Sequence, residues 1–189
     1  MDEKRFRELV LDYERWIKAS YHSKFIGDSL YPIIENCYKI CSLDTFGKKN
    51  QTQEFINKVQ RWGALSDARA FHYGIAIENA CKARLIYDGK INSDGNKITG
   101  IRNDHNIEEM TKQLGVTSPK TDPEFLKLLT FQLQSLSKYP IAKTRKKQNE
   151  FTGRTEGARL IEGELTLSII TQTLKHDILR EIYKKYEKI

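Results

Sequence analysis

The chain has 189 residues, a length that fits one domain and allows two only if both are small. Hydrophobic residues make up 39% and charged residues 30%, a balance that supplies a core and excludes a disordered chain. Lys and Arg outnumber Asp and Glu by 32 to 25, so the formal net charge is +7. A basic balance of this size is compatible with a nucleic acid, an acidic partner or solubility alone.

The N-terminal stretch is charged and amphipathic, and it lacks the uninterrupted apolar run of a signal peptide. No later segment approaches the roughly 18 apolar residues of a membrane span. The cysteines Cys37, Cys41 and Cys81 do not have the spacing of a disulfide scaffold. We therefore expect a cytoplasmic protein without membrane association. We also expect Cys37 and Cys41 to be buried core thiols rather than metal ligands, and we expect no cofactor.

Apolar residues recur at helical spacing from the start of the chain. A first stripe from Phe6 to Ile17 predicts one amphipathic helix of about four turns. A second stripe from Leu30 to Cys41 predicts another helix, which Ser29 caps. Pro32 falls in the first turn of that predicted helix, where its missing N–H does little harm.

The middle of the chain predicts two more helices and a turn. Residues 54–61 have the pattern of a short helix. Ser66 and Asp67 supply capping oxygens for a long helix that runs to about Tyr87. Asp94-Gly95 lies between apolar residues and predicts a small hairpin near 91–98.

The remaining segments are helical as well. A short helix is predicted to begin near His105, with Asp104 or His105 as its cap, and to stop at Gly115. The run 121–124 has the features of a helix start, and that helix is predicted to end before Pro140. A long last helix, about 157–187, is expected to brace the bundle. The fold class predicted from the sequence is all-α, a single bundle of six to seven helices over residues 1–189.

Several enzyme signatures are absent from the sequence. It contains no GxxxxGK[ST], no GxGxxG and no HExxH. P-loop nucleotide hydrolysis, Rossmann-type dinucleotide binding and zincin chemistry therefore lose their usual sequence support. No histidine lies beside a Ser or Cys whose local sequence indicates an activated nucleophile.

The most distinctive motifs lie between residues 70 and 140. They are Glu78 with Lys82, His105-Asn106-Ile107, and Lys138-Tyr139-Pro140. In this order they resemble the motifs of the HEPN family (higher eukaryote and prokaryote nucleotide-binding domain), with Asn106 in place of an Asp and Lys138 in place of an Arg. The resemblance implies a HEPN-like helical domain that binds RNA or a nucleotide-bearing partner. It also implies a bacterial defence or toxin–antitoxin setting, with a homodimer or a cognate protein partner.

The same resemblance raises the question of catalysis. HEPN toxins are metal-independent RNases that carry an Arg and, after four to six intervening residues, a His. In this sequence Arg15 and His22 have such a spacing, while Arg102, Asn103 and His105 supply the residue types at a shorter one. Such a pair would stabilise developing phosphate charge and move a proton. The sequence favours a domain without catalytic activity; if it is an enzyme, we expect a metal-independent endoribonuclease.

A basic run precedes the last predicted helix and lies near aromatic residues. Its members are Lys143, Arg145, Lys146 and Lys147, and Arg154 extends it. Positive charge beside the rings of Tyr139 and Phe151 suits phosphates and stacked bases, so this run is a candidate RNA-binding segment. A solvated linker accounts for it equally well.

Three functions therefore stay open. The first is a non-catalytic RNA- or nucleotide-binding domain, and the second is a metal-independent RNase. The third is a protein-interaction or dimerisation module without nucleic-acid binding, which an exposed apolar stripe on the last helix would favour.

Overall fold

The computed structural model describes residues 2–43, 52–95, 97–100, 105–118, 120, 124–136 and 163–188. Within these ranges the chain forms seven α-helices, one hairpin and the short connections between them, which confirms the predicted all-α bundle of six to seven helices. The helices are α1 Glu3–Val10, α2 Tyr13–Leu43, α3 Gln53–Tyr87, α4 Ile107–Gln113, α5 Phe125–Phe131, α6 Gly163–Thr173 and α7 Asp177–Glu187. A π-helical turn, Gln132–Leu136, continues α5.

The hairpin joins β1, Asn92–Ser93, to β2, Ile98–Thr99, in antiparallel register. Its tip carries Gly95 with φ of 93°, a backbone conformation that glycine adopts without steric cost. The carboxylate of Asp94 accepts a hydrogen bond of 2.9 Å from the backbone N–H of Lys97. The predicted hairpin near 91–98 is therefore confirmed.

The first two predicted helices have other boundaries in the structure. The helix expected from Phe6 to Ile17 is interrupted at Asp12, whose carboxylate accepts a 3.1 Å hydrogen bond from the N–H of Glu14 and so begins α2. The predicted start at Ser29 is wrong, because Ser29 lies inside α2 and donates its hydroxyl to Phe25 O at 2.8 Å. Pro32 also lies inside α2, where packing against α3 outweighs one lost hydrogen bond.

Helix α3 replaces two predicted helices. Thr52 caps it, and its hydroxyl oxygen accepts a 3.2 Å hydrogen bond from the N–H of Phe55. Ser66 was predicted to cap a separate helix, but its hydroxyl donates to Trp62 O at 2.9 Å from within α3. The predicted end near Tyr87 is confirmed.

The C-terminal helix was predicted as one element over about 157–187, and this prediction is wrong. The described part of this segment forms α6 and α7, with His176 in extended conformation between them. Leu174 at the break is buried, so the chain turns without exposing it. The turn allows α6 to pack mainly against α3 while α7 packs against α2, which one straight helix could not do. Residues 157–162 lie outside the described ranges.

Asn106, rather than His105, is the N-cap of α4, because its side chain accepts a 3.0 Å hydrogen bond from the N–H of Glu109. Asp104, the other predicted cap, lies outside the described residues. Helix α5 begins at Phe125, close to the predicted start.

The core is built around α3, and α2, α4, α5 and α6 pack against this helix. Its largest fully buried side chains include Ile17, Tyr73, Ile77, Phe125, Leu133 and Ile170. Gly27 allows α2 to lie directly against the ring of Tyr73, since a Cβ at this position would be 2.5 Å from Cε1 of that ring. This close approach places polar residues of α2 and α3 within hydrogen-bonding distance of each other.

Candidate functional site

Glu78, Lys82 and His105 form one polar cluster where α3 meets the start of α4. The Lys82 ammonium donates to Glu78 Oε1 at 2.5 Å, one helical turn away. The His105 Nδ1 lies 3.0 Å from Glu78 Oε2 and 3.2 Å from Oε1. The structure thus brings together three residues that the sequence motifs selected from two separate segments.

Burial differs strongly within this cluster. The Glu78 side chain is 4% exposed, that of Lys82 16% and that of His105 38%. A carboxylate as buried as this one is stable only when donors satisfy it, and Lys82 and His105 are two such donors. Glu78 and Lys82 therefore form the buried part of the cluster, and His105 is the side chain that reaches solvent.

The Glu78 carboxylate determines which nitrogen of the His105 imidazole carries the proton. A carboxylate only accepts hydrogen bonds, so the ring proton lies on Nδ1 and Nε2 is left with a lone pair while the ring is neutral. Among the residues that the structure describes, none forms a hydrogen bond with Nε2. A partly exposed histidine held in this way can bind a hydroxyl or phosphate and can accept a proton from it.

The backbone of His105 is also unusual. Its φ is +53°, the one positive value at a non-glycine residue in the described ranges. Such left-handed conformations are uncommon outside glycine, although histidine is among the residues enriched there. The conformation costs about 1 to 3 kcal/mol and persists where surrounding contacts determine it, as at binding and active sites. Here the contacts are the Glu78 hydrogen bonds and the Asn106 cap.

Trp16 adds an aromatic surface next to the cluster. The Lys82 Nζ lies 4.9 Å from the centroid of the Trp16 ring, a cation–π distance. The indole N–H donates to Val10 O at 3.0 Å, which fixes the orientation of the ring. Trp16 is half-buried, and nothing in its sequence context marked it as part of a site.

The other predicted site residues lie away from this cluster or outside the described residues. Arg15 and His22 both lie on α2, seven residues or about 10 Å apart along the axis. Arg15 is exposed and pairs with Asp12 at 3.0 Å, and the exposed His22 lies near the ring of Tyr186. The remaining predicted residues lie outside the described ranges; they are Arg102, Asn103, Tyr139, Pro140, Lys143, Arg145, Lys146, Lys147 and Arg154.

A second polar network joins α2 to α3 further along the two helices. The Tyr73 hydroxyl donates to Asp28 Oδ1 at 2.7 Å, and Arg69 Nε donates to the same hydroxyl at 3.0 Å. Burial raises the pKa of Tyr73 far above its usual value, and the hydrogen bond to Asp28 raises it further. Sequence analysis missed this network, because its members are distant in the chain and form no known motif.

The described residues offer neither a metal site nor a reactive thiol. No group of three or more His, Cys, Asp or Glu side chains among them could hold a metal ion. Cys37 is buried and free, as predicted, and the side chain of Cys41, for which the same was predicted, lies outside the described residues. Cys81 is also buried and free. Burial raises the pKa of Cys81 to about 12, so this thiol stays protonated at neutral pH.

None of the helices that the structure describes combines the length and the apolar content needed to cross a membrane. Comparison with known proteins adds no relative, because no family model, no curated protein and no solved structure matches this chain.

Proposed function

We propose that this chain is a HEPN-like helical domain that binds RNA or a nucleotide-bearing partner through the surface around His105. The observation that carries the proposal is the contact of Glu78, Lys82 and His105. These residues belong to two of the three motifs on which the resemblance rests. Glu78 holds an imidazole and an ammonium group on one carboxylate, and Nε2 of that imidazole forms no hydrogen bond with the residues that the structure describes.

The chemistry of this surface suits single-stranded RNA. Bases of unpaired RNA stack on aromatic rings, and their phosphates and 2′-hydroxyls bind cations and imidazoles. Trp16 supplies a half-buried ring beside Lys82, and His105 supplies a partly exposed hydrogen-bonding group in the same cluster. Glu78 neutralises Lys82, so the local charge is small, and binding by this surface alone is expected to be weak. The net charge of +7 adds a general attraction to phosphates.

The experiment is a titration of labelled single-stranded RNA with the full chain in EDTA across a salt series. We expect binding that weakens as salt rises, because phosphate contacts release counterions. Trp16→Leu should weaken binding by roughly fivefold to 100-fold, the loss of about one stacked base. His105→Ala should also weaken it. His22→Ala is the matched control, because His22 is an exposed histidine without a carboxylate partner among the described residues. Absence of binding at low salt would refute the proposal.

A second candidate is metal-independent RNA cleavage, and the orientation of His105 favours it. Nε2 would take the proton of a 2′-hydroxyl as its oxygen attacks the adjacent phosphorus. The bond from phosphorus to the 5′-oxygen would break, that oxygen would leave as a hydroxyl after taking a proton from water, and the protonated imidazole would return its proton to solvent. The samples from the RNA titration in EDTA also show whether the RNA has been cut into fragments. Cleavage in EDTA that is lost in His105→Ala and kept in His22→Ala would assign the chain to the RNases.

A third candidate is binding of a protein partner, and α2 rather than the last helix carries the feature that favours it. Large side chains that are more than two-fifths exposed occur repeatedly along α2: Phe25, Ile26, Tyr31, Ile33 and Tyr38. Exposed apolar side chains grouped on one helix are typical of partner surfaces. Light scattering across a concentration series tests self-association, and Ile26→Glu with Ile33→Glu should abolish it if this surface forms a dimer.

A further inference from the structure

A cavity of about 540 Å³ opens between α2, α3 and α6. Its volume lies in the range of sites that hold small molecules. The side chains around it combine positive, negative and apolar groups: Lys24, Asp28, Tyr31, Arg69, Glu164 and Leu167. None of these residues belongs to the motifs that the sequence analysis identified.

Arg69 is the unusual member of the cavity wall. Arg69 is only 8% exposed, and its Nε donates a hydrogen bond of 3.0 Å to the neutral hydroxyl of Tyr73. The guanidinium carbon lies 4.7 Å from the ring centroid of Tyr31 and 5.0 Å from that of Tyr73. Aromatic rings stabilise a cation only in part, and a buried charge is costly unless an anion accompanies it. Within the described ranges, no carboxylate forms an ion pair with Arg69 and no acceptor binds its two terminal nitrogens.

Asp28 is not the anion that pairs with Arg69. One carboxylate oxygen accepts from the Tyr73 hydroxyl, and the other accepts from Lys24 Nζ at 2.5 Å. Asp28 and Lys24 therefore neutralise each other at the cavity wall. The guanidinium of Arg69 is thus a cation whose two terminal nitrogens face the cavity without an acceptor from the described part of the chain.

The space around this network depends on a glycine. A Cβ at Gly163 would lie 2.7 Å from Asp28 Oδ1 and 2.9 Å from the Tyr73 hydroxyl. Any other residue at this position would push α6 away or displace the hydrogen bond that supports Arg69. The Tyr73 hydroxyl in turn holds the Arg69 side chain in place, so the guanidinium is preorganised before any ligand arrives.

We propose that this cavity binds a small phosphate-bearing ligand of the size of a nucleoside monophosphate. The planar guanidinium of Arg69 presents paired N–H groups, which match two phosphate oxygens. Tyr31, which is exposed to solvent, and Leu167, which is half-buried, form an apolar surface for the organic part of the ligand. The exposed Glu164 at the rim opposes negative charge and limits the affinity for highly charged ligands.

This cavity is separate from the surface around His105. Arg69 and Glu78 are nine residues apart on α3, or about 13 Å along the helix axis. We expect ligand binding at Arg69 to be independent of RNA binding at His105, because the two surfaces share no residue. Either proposal can therefore fail without the other.

The test is calorimetric titration of the full chain with adenosine monophosphate, adenosine and inorganic phosphate. We expect saturable binding of the monophosphate, about tenfold or more tighter than that of adenosine, because a phosphate–guanidinium pair is a charge-assisted contact. Arg69→Lys keeps the charge and loses the paired donors, and it should weaken binding by about tenfold. Circular dichroism shows whether each variant is folded. Leu167→Trp fills the cavity without changing Arg69 and should also abolish binding.

Two charge changes at the cavity rim should change the affinity for the monophosphate in opposite directions. Lys24→Gln leaves Asp28 unneutralised and should weaken monophosphate binding, while Glu164→Gln should strengthen it, each by about threefold to tenfold at low salt. Lys39→Gln is the control on the same helix, because Lys39 is exposed and pairs with Glu35 away from the cavity. His105→Ala should leave the affinity unchanged. Two results would overturn the proposal: no saturable binding of the monophosphate, or monophosphate binding that neither Arg69→Lys nor Leu167→Trp weakens.

Discussion

The Tyr73 hydroxyl of α3 donates a 2.7 Å hydrogen bond to the Asp28 carboxylate of α2 and so connects the two longest helices. It also accepts from Arg69 Nε, so this one oxygen satisfies two charged groups. Tyr73→Phe removes the oxygen and keeps the buried ring. We expect this variant to lose about 1 to 3 kcal/mol of unfolding free energy, because Arg69 and Asp28 each lose a partner.

Urea unfolding measures this loss. Tyr38→Phe is the control, because Tyr38 lies on α2 but is 48% exposed. It should change stability by less than about 0.5 kcal/mol. If Tyr73→Phe unfolds at the same urea concentration as the parent, the hydrogen bonds of Tyr73 contribute no net stability.

The tyrosines also predict a dependence of stability on alkaline pH. Burial raises the pKa of Tyr73 and Tyr183 well above the usual value near 10. Below pH 10 both the folded and the unfolded chain keep these protons. Above it the unfolded chain loses them first, so the free energy of unfolding should fall as pH rises.

Phenolate absorbance tests this prediction. Of the nine tyrosines, Tyr73 and Tyr183 should ionise only as the helical circular dichroism is lost. Tyr73→Phe should remove part of that coupled absorbance change. Ionisation of every tyrosine before any loss of helix would contradict the prediction.

Two glycines inside long helices should respond in opposite ways to the same substitution. In Gly27→Ala the new Cβ would lie 2.5 Å from Cε1 of the buried Tyr73 ring. We expect a loss of about 1 to 3 kcal/mol, the usual cost of overpacking. In Gly63→Ala the new Cβ meets nothing within 4 Å. We expect a gain of about 0.5 to 1 kcal/mol, because alanine favours the helix.

Thermal unfolding of the two alanine variants and the parent measures both the expected loss of stability and the expected gain. A stabilising Gly27→Ala would show that α2 and α3 do not approach as closely as described here.

The cap of α4 supports the conformation of His105, which precedes it. Asn106→Ala removes the acceptor of the Glu109 N–H and should cost about 0.5 to 2 kcal/mol. Asn106→Asp keeps an acceptor at the same position and should be near neutral. The chemical shifts of the His105 ring provide a second readout, and they should change in the alanine variant but little in the aspartate variant.

The sequence predicted the fold class and the end of α3 correctly because periodic apolar positions and turn glycines are local signals. It failed at Ser29 and Ser66, where serines that look like caps instead donate to carbonyls of the preceding turn within continuous helices. Whether such a serine caps a helix depends on tertiary packing along the helix, which no local pattern contains. The break at 174–176 was missed for a similar reason, since it carries neither Gly nor Pro.

The candidate site was predicted in part. Glu78, Lys82 and His105 were selected by motif, and their contact in the structure is consistent with that choice. Trp16 could not be found from the sequence, because its position beside Lys82 depends on how α2 lies against α3. The Asp28, Arg69 and Tyr73 network has the same origin, because its members meet only after the two helices pack.

The pairing of α2 with α3 has a consequence for how the chain folds. These helices are neighbours in sequence and form the most extensive contact between elements in the described ranges. Contacts between adjacent segments close short loops, so they form early and quickly. We expect the α2–α3 hairpin to be the folding nucleus and α6 and α7 to dock onto it later. Destabilising changes in the hairpin would then slow folding, whereas those in α7 would mainly accelerate unfolding.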